Sequence, residues 1–178
     1  MNDQIPGVKE DTEETEEIQS EEHQMKVARM QIEEAIRAGA SWFYIIAALS
    51  LINSIIVLFL KSNWSFIVGL GVMMLIDAIM SEVGGAGNLV ALILDIIIAG
   101  IFVLFGVFAS KKHLWAFLAG LILYILDLLL IVLLLIFSAD PQLLFYIIFH
   151  GVVGFFIIKG IKALRVYEKI EQKGYADR

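Results

Sequence analysis

The sequence predicts an all-α fold: an integral membrane helical bundle with four to five transmembrane segments and an amphipathic N-terminal helix. The first observation is composition. Of 178 residues, 60% are hydrophobic and 18% are charged, whereas a soluble domain has about 45–50% apolar and about 25% charged residues. The second is a series of long apolar segments joined by short connections, and in lipid such segments must satisfy their backbone polar groups within helices. The chain also contains no cysteine, which excludes disulfide scaffolds and thiolate sites.

The acidic charge of the chain is concentrated at its N-terminus. Residues 1–37 contain eleven acidic and four basic side chains. Residues 1–20 have too little apolar surface to fold alone, so we expect a disordered acidic tail there. After Ser20, a plausible N-cap, apolar residues recur every three or four positions, which predicts an amphipathic juxtamembrane helix over residues 21–37. That helix would lie on the membrane, contact a protein partner, or extend the first span.

Five apolar segments make up a predicted transmembrane bundle over residues 38–158. They cover residues 38–60, 64–81, 89–110, 114–137 and 142–158. The first is 23 residues long without a charge, which is enough to cross a hydrocarbon core. The short connections favour antiparallel hairpins. Small residues four apart, such as Ser50 with Ser54 and Ala116 with Gly120, favour close helix packing.

Basic residues predict the orientation of the segments, and they limit the number of crossings. Lys26, Arg29 and Arg37 precede the first span, while Lys111-Lys112 and the tail over 159–178 are also basic, and all favour the cytoplasmic side. Three apolar segments separate the N-terminal region from Lys111, and three crossings would place the two on opposite sides. We therefore expect residues 64–81, which are short and contain Asp77, to be re-entrant or tilted. Four crossings with both termini cytoplasmic follow; five crossings with the N-terminus outside is the alternative.

Ionisable residues within the apolar segments form the candidate functional layer. A carboxylate at mid-membrane costs about 2.5–3.5 kcal/mol on insertion scales, so such residues normally face the bundle interior. Counting from the connecting turns places four of them near one depth: Asp77, Asp95, Asp127 and His150. Asn53 and Tyr124 are candidate hydrogen-bond partners in the same layer. The layer either holds the helices in register or passes protons or ions.

A basic stripe follows the last apolar segment. At 100° per residue its members fall within an arc of about 120°, and they are Lys159, Lys162, Arg165, Lys169 and Lys173. Such a face is suited to anionic lipid headgroups, each base contributing about 1 kcal/mol. The alternative is an ordinary basic flank that fixes topology. The stripe is short and carries no recognition module, so we expect no nucleic-acid partner.

No catalytic constellation is present, so the sequence does not predict an enzyme. Glu33-Glu34 and Arg37 approach one intramembrane protease signature, but the spacing is one residue short. Tyr146 stands where a second part of that signature requires phenylalanine. Phosphate loops and zinc motifs are also absent from the sequence. We therefore predict neither a cofactor nor a metal site.

Several runs resemble a group of small, uncharacterised bacterial multi-pass membrane proteins. These runs are Phe66-Ile-Val-Gly69-Leu-Gly71, Lys112-His-Leu-Trp115-Ala-Phe117-Leu-Ala-Gly120 and Phe149-His150. With Asp77, Tyr124, Asp127 and Gly160, they extend over most of residues 41–162. The group has no assigned activity, so the resemblance implies a bacterial multi-pass protein of the inner membrane and adds no mechanism.

Taken together, the residues favour a small multi-pass membrane protein of accessory or interaction type. Its Asp/His layer would mainly order the helices. The alternative function is a minimal proton- or ion-coupled transporter or channel that uses the layer. A water-filled cavity reaching Asp95, Asp127 and His150 would favour transport, whereas a fully paired layer would favour the accessory role.

Overall fold

Five helices make up the described part of the chain in a computed structural model, which describes residues 7–60 and 69–176. They are α1 (Gly7–Leu60), α2 (Gly71–Ser81), α3 (Gly85–Ser110), α4 (Leu114–Ser138) and α5 (Leu143–Ala176). The predicted all-helical bundle is therefore confirmed for these residues. Four helices, α1, α3, α4 and α5, are long and apolar enough to cross a membrane.

Helix α1 begins at Gly7, earlier than the start expected near Ser20. Glutamate has a high helix propensity, and acidic side chains near a helix N-terminus interact favourably with its dipole. This stretch has little apolar surface to bury, but the helix propensity of its residues is high enough for a helix to form. The first six residues of the predicted acidic tail lie outside the described residues.

Helix α2 is the short element of the bundle. Its 11 residues rise only about 16 Å, roughly half of a hydrocarbon core about 30 Å thick. It starts in the interior, since its N-cap residue Leu70 is 2% exposed. The prediction that residues 64–81 differ from the other segments agrees with this length, although residues 64–68 lie outside the described part.

The turn between α2 and α3 brings these helices together as a hairpin. Gly84, the N-cap residue of α3, has a φ of 86°, a left-handed conformation that glycine adopts without strain. Asn88 on α3 donates a hydrogen bond to the carbonyl of Leu58 on α1, over 3.1 Å. Helices α1, α2 and α3 are therefore in contact beside this turn.

Contacts of Lys112 define the opposite end of the bundle. In the turn between α3 and α4, Lys112 Nζ lies 2.7 Å from Glu33 Oε1 on α1 and 3.7 Å from the ring centre of Tyr167 on α5. Partial burial alone would lower the pKa of Lys112, but the contacts with Glu33 and Tyr167 outweigh it and raise that pKa. Residues that flank three different spans thus meet at one end, as antiparallel hairpins require.

Glycines allow α1 to approach its neighbours closely. At the crossing of α1 and α5, a Cβ on Gly39 would lie 2.8 Å from the Cα of Gly160. On α4, a Cβ on Gly120 would lie 2.5 Å from the ring of Phe43, a fully buried residue of α1. The close approach expected at Gly120 is present, and the Gly39–Gly160 contact adds a second one.

Candidate intramembrane polar site

The carboxylate of Asp127 on α4 holds the N-terminus of α2. Its Oδ2 accepts the backbone N–H of Gly71, and its Oδ1 accepts the backbone N–H of Val72, each over 2.9 Å. Asp127 is 6% exposed. Two unpaired amides and the positive end of the α2 dipole therefore face one buried carboxylate, the arrangement that a helix N-terminus favours.

Helix α2 needs this external cap because its own N-cap residue offers none. Leu70 has no polar side chain, and the first N–H groups of any helix lack intrahelical acceptors. Ser50 Oγ on α1 accepts the N–H of Leu70 over 2.9 Å. Side chains from α1 and α4 thus perform the capping that Ser or Asp usually performs locally.

His150 on α5 joins the same carboxylate. Its Nε2 lies 2.9 Å from Asp127 Oδ2, and its Nδ1 lies 2.8 Å from the carbonyl oxygen of Tyr146. A carbonyl only accepts, so Nδ1 carries a proton. A second proton must then lie between Nε2 and Oδ2, either on the imidazole or on the carboxyl. The Asp127–His150 pair is therefore neutral overall, which suits its burial.

Tyr124 fixes the plane of the His150 ring. The two rings stack with centroids 4.4 Å apart and an interplanar angle of 9°. Tyr124 lies three residues before Asp127, so both occupy the inward face of α4. Tyr124 is 2% exposed, and its hydroxyl has no hydrogen-bond partner among the described residues. Its described contribution is thus the stacking contact.

Asp77 on α2 and Asp95 on α3 form a second, separate pair. They are 1% and 0% exposed, and each lies within hydrogen-bonding reach of the other and of Ser54 on α1. Among the described residues, none outside this group of three forms a hydrogen bond with the four carboxylate oxygens or with Ser54 Oγ. Unlike Asp127, which binds two backbone amides and His150, this pair therefore has only Ser54 as a neighbouring donor among the described residues.

The expected single layer thus consists of two clusters. Asp127, His150 and Tyr124 lie at the N-terminal end of α2, whereas Asp77 lies five residues after Val72, about 8 Å along the helix axis. Asn53 is also buried, at 4% exposed, and its Oδ1 has no partner among the described residues. Its Cβ lies beside Gly69, just before α2.

Sequence reasoning missed the residues that connect the clusters to α2. Ser50 and Ser54 were expected only as small residues for close packing, yet Ser50 accepts a hydrogen bond and Ser54 lies beside the acidic pair. The amides of Gly71 and Val72 carry no side-chain signal. The glycines at 69 and 71, which precede a short apolar run, were the available hint of an interrupted segment.

One cavity reaches Asp127. It measures about 310 Å³, and apart from Asp127 its lining is apolar: Leu70, Val72, Ile98, Ile101, Phe102, Leu123, Leu126 and Leu130. Neither Asp95 nor His150 lines it. Transport would be favoured by a polar cavity that reaches Asp95, Asp127 and His150. This cavity is apolar and reaches only Asp127 of the three.

The part of α5 that follows the last apolar segment, residues 159–176, is called the α5 extension, and the basic stripe lies on its outer face. Its described members Lys159, Lys162, Arg165 and Lys169 are exposed, and Lys173 lies outside the residues whose side chains are described. Between them, Ile161 and Leu164 turn inward and are buried. The extension is thus amphipathic, with its apolar face on the bundle.

Two further findings bear on identity. Within the described part of the chain, no group of three or more His, Cys, Asp or Glu side chains is arranged to hold a metal ion. Comparisons with protein-family models, with curated proteins and with solved structures find no match.

Proposed function

We propose that this chain is a bacterial multi-pass membrane protein of accessory or interaction type, in which the polar site orders the helices rather than performing chemistry. One observation carries the proposal. Both oxygens of Asp127 are occupied, by two amides of α2 and by the ring of His150. A carboxylate held by three partners from two elements has little freedom to exchange protons or bind ligands, whereas it links α2, α4 and α5 firmly.

The partner surface that fits this role is the juxtamembrane part of α1, residues 21–37. It precedes the first apolar segment and exposes large apolar side chains: Met25 is 59% exposed and Met30 is 54% exposed. Without a partner, these side chains would be surrounded by solvent or lipid headgroups. Methionine adapts its shape to varied surfaces and is common at binding faces. A membrane or protein partner is expected to contact this face.

A photo-crosslinking amino acid at Met25 is expected to capture a protein in intact cells. The matched control is Leu129 of α4, which is 58% exposed and lies within an apolar span, so it should capture lipid alone. The adducts are separated by mass on gels and identified by mass spectrometry. Equal protein capture at both positions, or none at Met25, would contradict a partner at residues 21–37.

The proposal places the protein in the inner membrane with four crossings and both termini cytoplasmic. Supporting it, Glu33, Lys112 and Tyr167 share one end of the bundle, and α2 is too short to cross. The basic residues at that end would contact anionic headgroups on the cytoplasmic leaflet.

Cysteine labelling tests this orientation without background, because the chain contains no cysteine. In intact spheroplasts, Asp140→Cys, in the turn between α4 and α5, is expected to react with an impermeant maleimide. Glu10→Cys is expected to react only after the membrane is permeabilised. Labelling of Glu10→Cys in intact spheroplasts would instead support five crossings with the N-terminus outside.

A second candidate function is a minimal proton- or ion-coupled transporter. The observation that favours it is the buried Asp77–Asp95 pair, which has no donor besides Ser54 among the described residues. Interrupted helices with half-helix ends at membrane depth are also where transporters bind ions. This candidate requires a proton or cation flux into proteoliposomes above that of protein-free vesicles.

A further inference from the structure

We propose that Asp77, Asp95 and Ser54 form a binding site for one small hard metal cation within the membrane. The three side chains come from α2, α3 and α1 and are 1%, 0% and 0% exposed. The inference concerns binding, goes beyond the accessory role, and deepens the second candidate function by naming its ligand and site.

The cluster is rich in oxygen atoms that no residue outside it satisfies among the described residues. The two carboxylates and the Ser54 hydroxyl offer five oxygen atoms, which lie near one another and have no hydrogen-bond partner outside the three side chains among the described residues. A shared proton would join only two of them. Among hard cations, Ca²⁺ takes about six to eight oxygen ligands. One such cation could therefore bind all five oxygens, with water or backbone oxygens completing its coordination shell.

Charge also favours a cation at this site. Lys112 contacts Glu33 at one end of the bundle and His150 contacts Asp127, so both of these basic side chains already have acidic partners. Asp77 lies four residues before the end of α2, where the helix dipole is negative and favours a positive ion. The carboxylates and the dipole therefore act in the same direction, and a bound cation removes the cost of burying two like charges.

The chemistry of the donors selects the class of metal. All five atoms are oxygens, and no His or Cys belongs to the cluster, so thiophilic and imidazole-binding metals such as Zn²⁺ and Cu²⁺ are disfavoured. Carboxylate and hydroxyl oxygens suit Na⁺, Ca²⁺ and Mg²⁺. A divalent ion would neutralise both carboxylates, whereas Na⁺ would suit the pair with one proton retained, and the experiment separates these cases.

The test uses the full-length protein in detergent. Its melting temperature is followed by tryptophan fluorescence while NaCl, CaCl₂ or MgCl₂ replaces choline chloride at constant ionic strength. We expect one of the metals to raise the melting temperature in a saturable manner, since a ligand that binds only the folded state stabilises it. Equilibrium dialysis with the radioactive ion is expected to give one site per chain.

Asp77→Asn and Asp95→Asn are each expected to weaken binding at least tenfold and to remove the saturable shift. Each variant deletes a buried charge, so both should remain folded, as circular dichroism would show. Ser54→Ala should weaken binding less. Glu82→Gln, an exposed acid at the end of α2, is the matched control and should bind as the unaltered protein does.

The opposing outcomes are distinct. Equal shifts with all salts including choline chloride, or binding that survives Asp77→Asn and Asp95→Asn together, would overturn the site. A stabilisation by low pH alone, lost in these variants, would replace the metal with a shared proton and overturn it as well. Binding of a metal without a measurable flux would support the site and contradict only the transporter function. The accessory role is tested separately by the crosslink at Met25.

Discussion

Asp127→Asn is expected to destabilise the bundle by about 2–4 kcal/mol, from the cost of unsatisfied buried donors and of breaking a buried pair. Asparagine keeps one acceptor oxygen but presents an NH₂ group in place of the other. In either orientation that group would face an amide of α2, Gly71 or Val72, so at least one donor would lose its acceptor. Unfolding in mixed detergent micelles measures the change in free energy.

A double-substitution cycle separates the Asp127–His150 contact from simple loss of folding. Asp127→Asn, His150→Gln and the combined variant are compared, and we expect a coupling energy above about 1 kcal/mol because both side chains meet at Oδ2. Glu82→Gln, which is exposed, controls for removal of an acid. Additive effects, or an Asp127→Asn variant as stable as the unaltered protein, would contradict the structural role of this carboxylate.

Gly39→Leu is the second substitution with a large expected effect, a loss of about 3 kcal/mol or more from overpacking. Its Cβ alone would lie 2.8 Å from Gly160 Cα and 3.1 Å from the carbonyl oxygen of Phe156. These are backbone atoms, so relief requires α1 and α5 to move apart. The readout is the same unfolding free energy in micelles, together with protease sensitivity of the α5 extension.

Gly100→Leu on α3 is the matched control for this substitution. Gly100 is exposed, and a Cβ there would meet nothing within 4 Å, so the variant should be neutral or gain up to about 1 kcal/mol from helix propensity. If Gly39→Leu and Gly100→Leu behaved alike, the close crossing at Gly160 would not be a determinant of the fold.

The sequence was informative wherever burial leaves a periodic signal. Long apolar segments predicted the long helices, and the three- and four-residue spacing of Gly120, Tyr124 and Asp127 is typical of the buried face that they share on α4. The odd segment 64–81 could be recognised because Asp77 interrupts a run that is already short. Asp127 and His150 were expected near one depth by counting from the connecting turns, and the two side chains are in contact.

The remaining features depend on backbone groups and on distances across the bundle, which carry no periodic signal. Nothing in the residue types of Gly71 and Val72 shows that their amides bind a carboxylate 55 or 56 residues later. Hairpin counting assumed straight, full-length helices, so it placed Asp77 at the level of Asp127. A helix that starts within the bundle instead separates the two acids along its own axis.

The external cap on α2 also has a consequence for the order in which the molecule is assembled during synthesis. A growing chain that has emerged only as far as α3 contains the interrupted segment but not Asp127, and it cannot bring His150 to meet that carboxylate. The first amides of α2 must then stay near water, headgroups or a chaperone, because lipid provides no acceptor. Helix α2 is thus the second element in sequence, but it can reach its final place only after α4 has arrived.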